Sequence, residues 1–150
     1  LPMEEYTNMK EKEIFQRVNE KLNLVGLQGA GPKMPSELSG GMKKRAALAR
    51  AMALDPEILF FDEPSTSLDP VTAAMMDRLI LDLRNRLGTT MVIVTHDLDS
   101  IFAISDRVMI LDKVAKTIVA RGKPYELRKS NHSPAVEEFL DRAGLSRKMD

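Results

Sequence analysis

The sequence has no cysteine, no excess of either charge and no long apolar run. Without cysteine there are no disulfides, no thiolate metal sites and no thiol catalysis, a composition that accords with a reducing compartment. Lysine plus arginine and aspartate plus glutamate both number 22, so no net positive field recruits nucleic acid or an anionic membrane surface. No apolar stretch reaches the roughly 18 residues of a membrane span. The N-terminus lacks the basic and apolar regions of a signal peptide, and it opens Leu1-Pro2 rather than with methionine, the expected mark of a piece of a longer chain. What remains is 150 residues, 43% hydrophobic and 29% charged, enough for one domain with a real core.

Two stretches carry the chemistry. Ser39 is a good N-cap for a helix over residues 40–54, where alanines recur and Pro56 marks the end. Its first turn holds Gly40 and Gly41, then Lys43, Lys44 and Arg45. Cations at the positive end of a helix dipole are each unfavourable by roughly 0.3–1 kcal/mol unless an anion is near. Glycines cost about 1 kcal/mol each relative to alanine in a helix and are useful where backbone approaches a ligand. Together they point to a phosphate contact. The second stretch, residues 58–61, is apolar without alternation, as expected of a parallel strand covered on both faces. Asp62 and Glu63 follow at its carboxyl end, where open α/β sheets bind ligands and a magnesium-held phosphate would sit.

The rest of the chain frames these two. Ile14, Val18 and Leu22, with Phe15 beside them, predict an amphipathic helix over residues 9–24. The glycine-rich loop that follows, Gly26 to Lys33, nearly fits the phosphate-cradling pattern G-x-x-x-x-G-K-[ST]. It fails because Pro32 stands where the lysine should be, no serine or threonine follows Lys33, and no strand precedes it. Asp69-Pro70 caps a helix with Met75, Leu79, Leu83 and Leu87 as its buried stripe, ended by Gly88. A second apolar strand, 90–94, runs into Thr95-His96-Asp97, which places His96 at a strand end comparable to that of Asp62 and Glu63. A short helix near 98–104 precedes strands 108–111 and 117–120, a hairpin at the sheet margin. Helices over 124–129 and 134–143, the latter with Val136, Phe139 and Leu140 apolar, close the domain. His132 reads as surface, and the ten methionines as core filler.

In this order the motifs resemble the C-terminal part of the nucleotide-binding subunit of an ABC transporter. Leu38-Ser39-Gly40-Gly41-Met42 resembles the family signature, residues 58–63 its Walker B strand, Ser67-Leu68-Asp69 its D-loop and His96 its switch histidine. The resemblance implies an α/β, partial P-loop NTPase fold: a mostly parallel sheet flanked by helices, with part of the helical subdomain and no P-loop. It implies three regions: 1–36 as helical subdomain and linker, 37–122 as signature helix and ATPase core, and 123–150 as C-terminal helices. It further implies ATP and Mg2+ as cofactors, Asp62 orienting the metal, Glu63 polarising the attacking water and His96 contacting the γ-phosphate. Ser39, Gly40 and Gly41 would reach ATP held by a second ATPase subunit, and Asp69 would couple the two sites. Membrane permease subunits would be the other partners, at the inner face of the cytoplasmic membrane, with no nucleic acid. The segment 35–50 is most similar to ATPases of bacterial phospholipid-trafficking, or organic-solvent-resistance, systems.

Two departures stand out. Met42 replaces the signature's usual glutamine, and the turn between Leu111 and Thr117 lacks the glycine often found there. The P-loop, the adenine-stacking aromatic and the glutamine loop would lie upstream of Leu1, so the chain alone is expected to be inactive. Losing a central strand would also leave an edge open to pairing, so self-association is expected. Chromosome-maintenance or DNA-repair ATPases share the signature and Walker B motifs, and a non-catalytic binding module is a third reading. The first predicts heptad runs and a basic surface, neither of which is visible, and the non-methionine start speaks against the second.

Overall fold

The computed structural model describes residues 2–129, 136, 137, 139 and 140. They fall into two compact units, Leu1–Val94 and Thr95–Asp150. The first runs α1 (Pro2–Tyr6), α2 (Glu11–Leu24), a 3-10 turn (Pro35–Glu37), α3 (Gly40–Ala51), β1 (Ile58–Asp62), α4 (Pro70–Leu87) and β2 (Thr90–Val94). β1 and β2 pair in parallel, Ile58 opposite Thr90 through Asp62 opposite Val94. Parallel strands need a crossover, and α4 supplies it. No described helix is long and apolar enough to cross a membrane.

Local chemistry sets the ends of α4. The Asp69 carboxylate accepts the Thr72 amide at 3.0 Å, Pro70 takes the first helical position, and Gly88 closes the helix in the left-handed region at φ 64°. The buried face is Met76, Asp77, Ile80 and Leu83; of the predicted 75/79/83/87 row, Leu83 is buried and Leu79 packs against the core, while the two ends of the row do not. Met75 is 57% exposed and Leu87 lies at the surface. A strict four-residue row drifts around a helix of 3.6 residues per turn, whereas 76, 80 and 83 keep one heading. Leu83, fully buried, joins Val25, Leu27, Leu48, Ala49, Met52 and Leu59 in the core of this unit.

The strands are not covered on both faces. Leu59 is buried and Phe61 packs against the core, while Ile58, Phe60, Val92 and Val94 are exposed, Phe60 by 76%. The residues are apolar throughout, so the alternation in burial leaves no trace in residue type. Likewise the predicted stripe of α2 is only partly covered: Phe15 and Val18 are exposed, and the helix's one buried residue is Lys21.

Lys21 explains how α2 is held. Its ammonium donates to the carboxylate of Asp55, which also accepts from Arg17. Asp55 sits in a left-handed turn, φ 49°, just beyond α3, which therefore ends at Ala51 rather than at residue 54. The hydrogen bond from Lys21 holds the Asp55 carboxyl below its ordinary value, against the opposing effect of burial. A depressed folded value means stability that is present above the unfolded pKa of about 4 and is lost as pH falls through the folded one. The thermal midpoint of the chain should therefore drop as the pH is taken below about 4, and Asp55→Asn should flatten that acid limb while lowering the midpoint at pH 7. An unchanged acid limb would refute the assignment.

The second unit runs α5 (Leu98–Ile104), β3 (Val108–Asp112), β4 (Thr117–Gly122) and α6 (Pro124–Leu127). The predicted hairpin is present, and among the described residues β3 and β4 pair with each other as a two-stranded antiparallel sheet. Among the described residues the sheet content is thus one parallel and one antiparallel pair, not a mostly parallel sheet. The turn manages without glycine: Asp112 accepts the amides of Val114 at 2.9 Å and Ala115 at 2.6 Å, and Lys116 takes the left-handed conformation, φ 51°. Ala120, Leu127, Val136 and Leu140 form the core, with Phe102, Val108, Ile110 and Phe139 against it. The Phe102 ring tilts against Tyr125, centroids 5.2 Å apart. His132 lies outside the described residues, as does most of the helix expected over 134–143.

Candidate functional site

The signature segment enters α3 through the 3-10 turn, where the Glu37 carboxylate accepts the Met34 amide at 2.6 Å. Ser39 is extended, φ −64° and ψ 165°, and its hydroxyl accepts the Met42 amide at 3.3 Å. The two glycines that follow differ. A Cβ on Gly40 would meet nothing within 4 Å, whereas one on Gly41 would lie 3.1 Å from Thr72 Cγ2. Gly41 thus lets α3 approach the first turn of α4, and only Gly40 leaves open space for a ligand.

The three cations of this turn need correction too. Lys44 Nζ donates to the carbonyls of Glu63 at 3.3 Å, Pro64 at 2.9 Å and Thr66. Arg45 Nη1 donates to the carbonyls of Val25 at 3.5 Å and Gly26 at 3.4 Å. Helical side chains lean toward the N-terminus, which aims these two at neighbouring loops. Two of the cations therefore serve backbone carbonyls and do not mark an anion; Lys43 is exposed.

At the end of β1, Asp62 is exposed. Glu63 has φ 47°, donates its amide to Val94 O at 2.9 Å and accepts the Thr66 hydroxyl on Oε2 at 2.8 Å. Ser67 is also left-handed, φ 65°. The loop closes with Leu68 N donating to Ser65 O at 3.1 Å. Asp69 then accepts the Thr72 amide and, at 2.6 Å, its hydroxyl. That hydroxyl is the main cause holding the Asp69 carboxyl below its ordinary value. Thr72, absent from the sequence reading, touches both Gly41 and Asp69 and so ties signature to D-loop. The only sequence hint is its place three residues after the cap.

Ser39, Gly40, Gly41, Ser67, Asp69 and Thr72 line one groove of about 770 Å³. Asp62 and Glu63 line a different cavity, about 210 Å³, with Lys44, Phe60 and Met76 among its walls. The signature and the carboxylates thus line different cavities of this unit, which share Met76 as a wall. No group of three or more His, Cys, Asp or Glu that could hold a metal exists among the described residues. Mg2+ is commonly held by one or two carboxylates plus substrate phosphates, and exposed Asp62 at a strand end fits that chemistry. His96 belongs to the second unit, where it is exposed between Thr95, whose hydroxyl accepts the Asp97 amide at 3.1 Å, and Asp97, which caps α5.

Residues 2–66 match the ABC transporter family profile. The chain is 45% identical over 93% of its length to the Escherichia coli K12 intermembrane phospholipid transport system ATP-binding protein MlaF, of which it covers 51%. The chain is similar to the ABC transporter ATP-binding proteins. A second relative of this family, the probable ribonucleotide transport ATP-binding protein mkl of Mycobacterium leprae, is 44% identical over 93% of the chain and 40% of its own length. The fold agrees. It matches cbiO1 from Clostridium perfringens, part of the ABC transporter complex cbiONQ, with TM-score 0.77, 28% identity, 97% of this chain and 58% of that one. It also matches an ATP-binding cassette solved as a dimer in a post-hydrolysis state with ADP and Pi, with TM-score 0.66, 30% identity, 79% of this chain and 50% of that one. The chain spans about half the length of the curated relatives it matches.

Proposed function

We propose that this chain forms part of an ATP-hydrolysing subunit that works as a dimer and drives transport of a phospholipid or similarly hydrophobic substrate through a membrane permease, at the inner face of the cytoplasmic membrane. The observation that carries the reading is the separation of the groove holding Ser39, Gly40 and Asp69 from the cavity holding Asp62 and Glu63. A signature that lines a different cavity from its own carboxylates suits a half-site offered to a second subunit's nucleotide. In this scheme Ser39 Oγ and the free amides of the first turn of α3 bind the γ-phosphate of the partner's ATP.

Asp62 holds Mg2+, which would neutralise charge on the phosphates. Glu63 takes a proton from the attacking water, its carboxylate oriented by the Thr66 hydroxyl. His96 supports the γ-phosphate from its own subunit, and Asp69, fixed by Thr72, couples the two halves. Little covalent chemistry is asked of these groups beyond positioning and charge stabilisation. Alone, the chain carries the phosphate-facing signature and the carboxylates but no sequence of the form G-x-x-x-x-G-K-[ST], so it should not turn over ATP.

The test is reconstitution of the full-length protein with its permease in phospholipid vesicles. ATP-dependent transfer of labelled phospholipid is expected. Hydrolysis stimulated by ribonucleotide but not by lipid would overturn the substrate, and absence of ATP hydrolysis would overturn the whole reading.

A further inference from the structure

The use made of Lys44 goes beyond the roles above. An ammonium has three N–H donors, and three carbonyls, of Glu63, Pro64 and Thr66, converge on this one. The loop so gripped bends through two non-glycine residues in the left-handed region, Glu63 at φ 47° and Ser67 at φ 65°. Such residues persist only where the surroundings over-determine the backbone. Within the loop, Thr66 N donates to Glu63 O at 3.3 Å and Leu68 N to Ser65 O at 3.1 Å. Thr66 is the link to chemistry, because its hydroxyl orients the Glu63 carboxylate while its carbonyl is held by Lys44.

We propose that Lys44 is a positioning residue for Glu63: from the signature helix it clamps the 63–66 loop and thereby fixes where the Glu63 carboxylate points. The proposal rests on the reading of Glu63 as the group that activates water. With its donors spent on carbonyls, Lys44 is not a phosphate ligand. Its position one turn beyond Gly40 makes the start of α3 and the carboxylate loop move together.

Lys44→Met and Lys44→Arg, made in the full-length protein, test this by steady-state ATP hydrolysis and by hydrogen exchange at the Thr66 and Leu68 amides. Lys44→Met should lower kcat by about 10- to 100-fold with KM within about twofold of wild type, and the two amides should exchange faster. Lys44→Arg, whose guanidinium offers several donors, should return kcat to within about fivefold. Full kcat in Lys44→Met with unchanged exchange would overturn the clamp. So would a raised KM at unchanged kcat, which would make Lys44 a nucleotide-binding group. If Lys44→Met fails to fold, Lys44→Gln takes its place under the same two criteria. Glu63→Gln run alongside separates the two ideas: a fully active Glu63→Gln refutes the role of Glu63 itself. An inactive Glu63→Gln beside an unaffected Lys44→Met refutes only the clamp.

Discussion

Glu63→Gln in the full-length protein is expected to lower kcat for ATP hydrolysis by about 10²–10⁴-fold, the usual worth of a positioned general base. Nucleotide affinity should stay near wild type. The substitution is isosteric, and the amide oxygen of glutamine can still accept the Thr66 hydroxyl that Glu63 Oε2 accepts at 2.8 Å, so the loop need not rearrange. What is lost is the ability to take a proton. Single-turnover hydrolysis and equilibrium nucleotide binding separate these effects, and a variant that hydrolyses ATP at the wild-type rate would remove Glu63 from the mechanism.

Gly40→Asp is expected to uncouple stability from activity. A side chain there meets nothing within 4 Å. It replaces a glycine that costs about 1 kcal/mol in a helix and places a negative charge at the positive end of α3, favourable by about 0.3–1 kcal/mol. The thermal midpoint of the chain should hold or rise. If the proposed half-site holds, hydrolysis by the full-length protein should nevertheless fall by about 100-fold or more, because the carboxylate would occupy the space proposed for a phosphate and repel it. Gly41→Asp would be a poor substitute, since its Cβ would crowd Thr72 at 3.1 Å.

Mixing the two dead variants sharpens the test. If the signature acts on the partner's nucleotide, a mixed dimer of Gly40→Asp and Glu63→Gln subunits contains one undamaged site and regains activity. If it acts on its own subunit's nucleotide, both sites stay broken and nothing returns.

Features decided within a few residues were legible in the sequence. The Ser39 and Asp69 caps, Pro70 at the first turn and Gly88 at the last were read from residue type, because a cap depends on the backbone beside it. The strand positions and the hairpin were read from apolar runs and breaks. What could not be read was decided by distant parts of the chain. The surplus of cations in the first turn of α3 reads as an anion signal when it is weighed against the helix dipole alone. Their carbonyl partners lie in loops about twenty residues away, at Gly26 and at Glu63 to Thr66. Phe60 and Leu59 are equally apolar, yet one is 76% exposed and the other buried. Nothing in the helical pattern marks Lys21 as buried: its burial depends on Asp55, which no helical spacing relates to it.

The two sheets also differ in how they must come into being. β3 and β4 face each other across a short turn braced by Asp112, and such hairpins close in about 1–10 μs. β1 and β2 pair across a connection that includes the whole of α4, and the entropy of closing so long a loop makes non-local parallel pairing the slower event. Glu63 donates its amide to the last carbonyl of β2, so its backbone conformation waits on that late pairing. The carboxylate loop is thus among the last parts of the first unit to become native in folding, and among the first to be lost when β2 frays from β1.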